Sequence, residues 1–241
     1  MSLEGAKVLV VGGGSGIGFA VAEAAAAAGA AVTIASTNAE RVAQAAARLG
    51  NAAESATLDV TDEAGVQAFF EGRSFDHIVT TAGDWGGPRR VALAEMDLAG
   101  QAAVFKVRFW GALAVAKYGA PTLSPGGSLT LTDGMIAHRP SKGSAVSTAM
   151  AGAIEHLTRG LAVELAPVRV NCVCPGLIRT GVWESIPQEQ RQARLTQMTA
   201  RQLLPRVGEP SEAAEAYLYL MKAGYTTGQV LKVEGGLALG G

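Results

Sequence analysis

The chain has little net charge, almost no cysteine and no long apolar run, and each shortage closes off a class of function. Its 241 residues carry 20 basic and 21 acidic side chains, a net charge of −1. Such a balance gives no field for holding nucleic acid or an acidic membrane surface. No stretch reaches the length of a membrane span, and the N-terminus lacks a basic region followed by an apolar one, so a cytoplasmic location is expected. The two cysteines, Cys172 and Cys174, sit two apart in VNCVCPG. A pair alone makes neither a zinc site nor a thioredoxin-type motif, so reduced, half-buried strand residues and no metal are expected. Linkers, repeats and low-complexity segments are also missing, and the chain reads as a single domain over 1–241.

What the chain does have is hydrophobic residues, at 49%, enough for a sizeable core. It also has a glycine-rich turn between a strand and a helix. Lys7 to Val11 reads as a short buried strand, followed by Gly12, Gly13, Gly14, Ser15, Gly16, Ile17 and Gly18, then an alanine-rich helix to Gly29. In this geometry the free N–H groups of a helix N-terminus meet a phosphate, and glycines allow the tight turn and the close approach of pyrophosphate.

Strands and helices alternate from there on. Strands are expected at 31–36, 53–58, 76–80, 128–132, 168–173 and 229–234, with helices at about 38–49, 62–71, 98–123, 141–165 and 211–221. The alternation predicts right-handed βαβ crossovers and a doubly wound, Rossmann-type α/β fold, a parallel sheet with helices on both faces. The segment 179–208 is polar and helix-prone and carries Pro187 and Pro205. Its place after a strand's carboxyl end suggests a lid or substrate loop over the ligand crevice. The helices 98–123 and 141–165 are apolar around much of their circumference, which suggests a homodimer or homotetramer.

The residues together resemble the short-chain dehydrogenase/reductase family over essentially the whole chain. The resemblance is carried by the Gly12…Gly16-Ile17-Gly18 turn, Leu58-Asp59-Val60, Ala82-Gly83, IEHLTRGLAVELAP (154–167), Val170-Asn171…Pro175-Gly176…Thr180 and Thr227-Gly228-Gln229…Val233-Glu234-Gly235-Gly236. It implies a mostly seven-stranded sheet and NAD(P) at the strand ends. Cofactor contacts are then implied for Gly12, Gly14, Ser15, Gly16, Ile17 and Gly18. Further implied contacts are Asp59 and Val60 on the adenine, Ala82 and Gly83 on the ribose side, and Pro175, Gly176, Ile178 and Thr180 on the nicotinamide amide.

The same resemblance implies a catalytic Asn, Ser, Tyr and Lys, and all four are replaced. The Tyr position is Ser147, the Lys position Ala151, the Ser position Gly134 with Asp133 beside it, and the Asn position Arg108. No Tyr occurs between Tyr118 and Tyr217. A phenol with a pKa near 10, brought down by an ammonium, is what this chemistry ordinarily uses, and an aliphatic hydroxyl at 147 is too weak an acid. The replacement candidates are His138, Asp133, Arg108 and Ser147. His138 is either the acid or a solvent-exposed loop residue, and Arg108 with Asp133 is read as an ion pair filling the vacated space.

Cofactor choice turns on the end of the second strand. An acidic residue there would accept from the ribose and repel a 2′-phosphate; this chain has Ser36-Thr37-Asn38, with Arg41 a turn further on. NADP(H) is therefore favoured over NAD(H). Two functions follow as expectations: an oxidoreductase on a small carbonyl or alcohol with a non-standard active site, or a catalytically silent cofactor-binding sensor or non-catalytic partner subunit.

Overall fold

A computed structural model of the chain describes residues 2–50, 53–83, 91–181, 187–200 and 202–240. Seven strands form one sheet: β1 (Lys7–Val11), β2 (Ala31–Ser36), β3 (Ala53–Thr57), β4 (Phe75–Thr80), β5 (Leu123–Thr132), β6 (Arg169–Pro175) and β7 (Val230–Val233). Their order is β3-β2-β1-β4-β5-β6-β7, and every pairing is parallel. The chain reverses direction across the sheet between β1 and β4, which opens a crevice at their carboxyl ends. The helices are α1 (Gly16–Ala27), α2 (Ala39–Leu49), α3 (Glu63–Phe70), α4 (Leu98–Gln101), α5 (Ala112–Gly119), α6 (Ala145–Glu164), α7 (Gln188–Thr199) and α8 (Pro210–Lys222).

Period-2 alternation along the strands divides the core into two layers. Val8, Val10 and Ile34 pack against α1, α2 and α8, while Leu9, Val11, Ile78, Leu129 and Leu131 pack against α3, α5 and α6. Sheets covered on both faces bury both sets of side chains, and so Cys172 and Cys174 are fully buried rather than half-buried.

Two of the expected helices differ from the sequence reading. The run 98–123 is not one helix: α4 is a short piece, Lys106–Gly111 forms a π-helical turn, and α5 ends in a 3-10 turn (Ala120–Thr122) leading straight into β5. Gly100 and Gly111 weaken the helix, and Pro121 denies it a donor. The helix expected from Ser141 starts at Ala145, because Gly143 sits at φ +77° and the Ser144 hydroxyl folds back to the Ser141 carbonyl. The insert 179–208 is pinned at its base, where Arg179 N donates to Gly208 O and Gly208 N to Leu177 O. Part of the insert, 182–186 and 201, lies outside the described residues.

Candidate active site

The turn after β1 is built from a close approach that only glycine permits. Gly12 sits at φ +87°, and a Cβ there would lie 2.5 Å from Ala82 N. A Cβ on Gly18 would run into Gly12 O and Thr81 Oγ1. The turn is thus locked against the end of β4, and α1 begins with its first-turn N–H groups lacking intrahelical partners. Ser15 takes an extended conformation at the N-cap and makes no side-chain cap, leaving the anion-binding end of α1 to the backbone. Thr180 closes this end: a Cβ on Gly16 would meet its Cγ2 at 3.3 Å.

At the end of β2, Ser36 is half-buried and Thr37 exposed. Asn38 caps α2 by accepting from Arg41 N at 2.8 Å. The Arg41 stem then lies along the glycine turn, its Cγ 3.4 Å from where a Gly14 Cβ would stand. Asp59 spends one carboxylate oxygen on Thr61, accepting from its N at 2.9 Å and its hydroxyl at 2.8 Å, and these bonds lower its pKa. Val60 is buried beneath it. On the other wall, Pro175 ends β6, Gly176 presses on Glu234, and Ile178 bridges to Gly208. The expected cofactor residues therefore line the carboxyl edge of β1, β2, β3, β4 and β6. A cradle that a Cβ would fill and backbone amides at a helix start fit the phosphates of a dinucleotide.

The residues around the vacated catalytic positions are arranged differently from the sequence reading. Ser147 and Ala151 are both buried in the packing of α6. Nothing stands within 4 Å of where a Gly134 Cβ would be, so the Ser position is an open space. Arg108, on the π-helical turn, does not pair with the Asp133 carboxylate; its Nη1 donates to the Asp133 main-chain carbonyl at 3.4 Å. Its guanidinium also occupies the volume a side chain on Gly83 would need. The expected ion pair is replaced by this main-chain contact because the Asp133 side chain turns away, toward α6 and β6.

There it meets two groups the sequence reading missed, Glu155 and Cys174. Asp133 is 3% exposed, and its carboxyl faces the Glu155 carboxyl and the Cys174 thiol. Burial pushes its pKa up to about 8; Glu155 adds to the rise, while Cys174 and Arg108 oppose it. Glu155, also buried, holds His138: Nε2 of His138 lies 2.5 Å from its Oε1. His138 is not a free loop residue but the outer end of a buried carboxyl pair. One ligating atom each from Asp133, His138, Glu155 and Cys174 falls within 4.8 Å of the others, a spacing that would admit a cation as readily as a shared proton. Burial pushes the Cys174 thiol far up, so it stays protonated unless a metal displaces the proton. Glu155 lies two helical turns after Ser147 and one after Ala151, on the same face of α6; that spacing was the available signal.

Comparison with known proteins agrees with this geometry. A family profile described as enoyl-(acyl carrier protein) reductase matches residues 11–238. The short-chain dehydrogenase/reductase ATR9 of Stachybotrys chlorohalonatus is 33% identical, covering 99% of each chain. The structure of MalC reductase/Diels-Alderase from Malbranchea aurantiaca superposes with a TM-score of 0.90 at 32% identity, covering 98% of each chain. A small-chain dehydrogenase in complex with NADPH gives 0.83 at 34% identity, covering 98% of this chain and 100% of that one. The glycine turn, the seven-stranded parallel sheet and these matches together place the chain in the short-chain dehydrogenase/reductase family of oxidoreductases.

Proposed function

We propose that the chain is an NADP(H)-dependent oxidoreductase acting on a small carbonyl or alcohol through a non-standard active site. It would work in the cytoplasm as one dinucleotide-binding domain, with 179–208 as its substrate lid. The observation that carries the cofactor choice is Arg41, whose stem lies over Gly14 beside Ser36 and Thr37 with no acidic side chain at the end of β2. A neighbour described in complex with NADPH supports the same choice. When bound, the cofactor supplies or takes up hydride. The chain's own residues hold it: the α1 amides and Thr180 at the pyrophosphate, Ser36, Thr37, Asn38 and Arg41 at the 2′-phosphate, Asp59 and Val60 at the adenine. Ala82 and Gly83 would line the ribose, and Pro175, Gly176 and Ile178 the nicotinamide. The open space at Gly134 would receive the substrate oxygen.

A fluorescence titration with NADPH and NADH, followed by a screen of carbonyl and alcohol substrates, tests the reading. Saturable, tighter binding of NADPH together with turnover is the expected result.

A second reading is favoured by Ser147 and Ala151, which put no phenol and no ammonium into the site. A silent cofactor-binding sensor or non-catalytic partner subunit would bind NADPH and turn over nothing. The apolar side chains left outside, Val163 on α6 at 82% exposure and Trp110 before α5 at 59%, support assembly into a homodimer or homotetramer. Light scattering of a micromolar solution would show it.

A further inference from the structure

We propose that Asp133, His138, Glu155 and Cys174 bind one zinc ion, which ties the turn after β5 to α6 and β6. The site is structural and does not depend on the oxidoreductase reading. Its first support is the ligand set. An imidazole, a thiolate and two carboxylates are all zinc donors, and four protein ligands close the tetrahedral shell. Mg²⁺ and Ca²⁺ take oxygen ligands, so the thiol and the imidazole count against them. Because the four residues come from separate elements, no motif in the sequence announces them.

The second support is geometric. One ligating atom of each residue lies within 4.8 Å of the other three. Tetrahedral zinc, with bonds of roughly 2.0–2.3 Å, sets its ligand atoms about 3.3–3.6 Å apart, so no pair has to close by more than about 1.5 Å. The His138 Nε2 and Glu155 Oε1 pair, at 2.5 Å, has to open instead. His138 can give way, because it follows a 3-10 turn and its side chain is 27% exposed. That exposed edge is also the way in for the ion.

The third support is the burial of so many acids around one point. Asp133, Glu155 and Cys174 are all buried. Among the described residues no backbone N–H, amide or cationic side chain donates to either Asp133 oxygen; what they face is a second carboxyl and a thiol. The thiol itself has only the Met135 sulfur, 3.6 Å away, as a weak acceptor. Such a group is costly to bury unless protons or a cation hold it together. Two carboxyls sharing a proton have no need of a thiol or an imidazole, whereas zinc uses both. Zinc would offset two of the negative charges on Asp133, Glu155 and Cys174. Arg159, 3.9 Å from the second Glu155 oxygen, and Arg108, on the Asp133 main-chain carbonyl, stand beside the third.

The binding step balances. The Zn–S bond forms as the Cys174 S–H bond breaks, the Asp133 carboxyl gives up its proton as its oxygen binds, and both protons leave to solvent. His138 binds as the neutral imidazole. In the metal-free chain those two protons stay in place.

The test uses the whole chain, stripped with a chelator and reloaded with Zn²⁺ or Co²⁺. After removal of excess metal, elemental analysis should find one zinc per chain, and zinc should raise the melting temperature reversibly. Co²⁺ should give the near-ultraviolet charge-transfer band of a thiolate ligand and the intense visible bands of a tetrahedral ion. H138N, at the partly exposed edge, should lose at least about 10²-fold in zinc affinity, more than the loss of an outer-shell partner costs. H156N, which changes an exposed histidine of α6, should bind as wild type does. C174S should lose the charge-transfer band, and C172S, which changes the chain's other cysteine, should keep it. No retained zinc, which would leave only a shared proton, would overturn the assignment. So would a Co²⁺ spectrum of the wild type without the thiolate band, or equal zinc affinity in H138N. These last two readings decide the matter even if C174S fails to fold.

Discussion

Nε2 of His138 lies 2.5 Å from Oε1 of Glu155, joining the turn after β5 to the middle of α6. Behind that contact lies the buried Asp133 carboxyl, one ligating atom each of Asp133, His138, Glu155 and Cys174 falling within 4.8 Å of the others. The following outcomes are expected.

Asp133 ties stability to pH. Its folded pKa of about 8 stands above the ordinary carboxylate value of 3.8, so between these values the unfolded chain releases a proton that the folded chain retains. Wild type should therefore lose stability relative to D133N as pH rises from about 4 to 8, and the difference should level off above 8. Urea melts at pH 5, 6.5 and 8 read this directly; a difference independent of pH would contradict it.

His77 acts in the opposite sense. It is buried on β4, 2.9 Å from the Ser128 hydroxyl, and burial, aided by Arg169, depresses its pKa to about 4. Below about 6.5 the unfolded chain binds a proton that the folded chain refuses, so stability is lost as pH falls from 6.5 toward 4. The loss should be on the order of 3 kcal/mol relative to H77N once the pH is below about 4. Melts at pH 7 and pH 4.5 of the two proteins provide the measurement.

Gly12→Ala should abolish NADPH binding and cost roughly 1–3 kcal/mol or more from the φ of +87° alone, before the clash with Ala82 is counted. Gly134→Ala, at an extended φ of −174° with open space around the new methyl group, should leave the melting temperature nearly unchanged. Thermal melts of the pair distinguish a locked turn from an open one.

Much of the fold was legible because it is local. The glycine turn, the alternation of strands and helices and the Asn38 cap are each written within a dozen residues. The helix expected over 98–123 was not, since a π-helical turn depends on what packs against it: Gly111 is needed where Val60 approaches. The residues along the carboxyl edge of the sheet were readable as a set of motifs. For Glu155 the one local signal was its spacing from Ser147 and Ala151 on one face of the helix, which puts it on the buried side but does not say what it meets there. Its partner His138 lies 17 residues away and Asp133 comes from the adjacent strand end. Arg108 was foreseen at the site, but its bond to a main-chain carbonyl instead of a carboxylate depends on where the Asp133 side chain turns.

The contacts proposed for a 2′-phosphate can be tested separately from the rest of the proposed cofactor site. Arg41→Ala should weaken NADPH by about 10-fold or more, as loss of one charge-assisted contact implies, and leave NADH nearly unaffected. Thr37→Asp should reverse the preference, because a carboxylate beside the phosphate is repelled.

The most direct measurement of the whole account is a fluorescence titration of the wild-type chain with NADPH and with NADH at the same ionic strength. Saturable binding of NADPH at micromolar concentration, tighter than that of NADH, is the predicted result. No saturable binding of either nucleotide, or tighter binding of NADH, would contradict it.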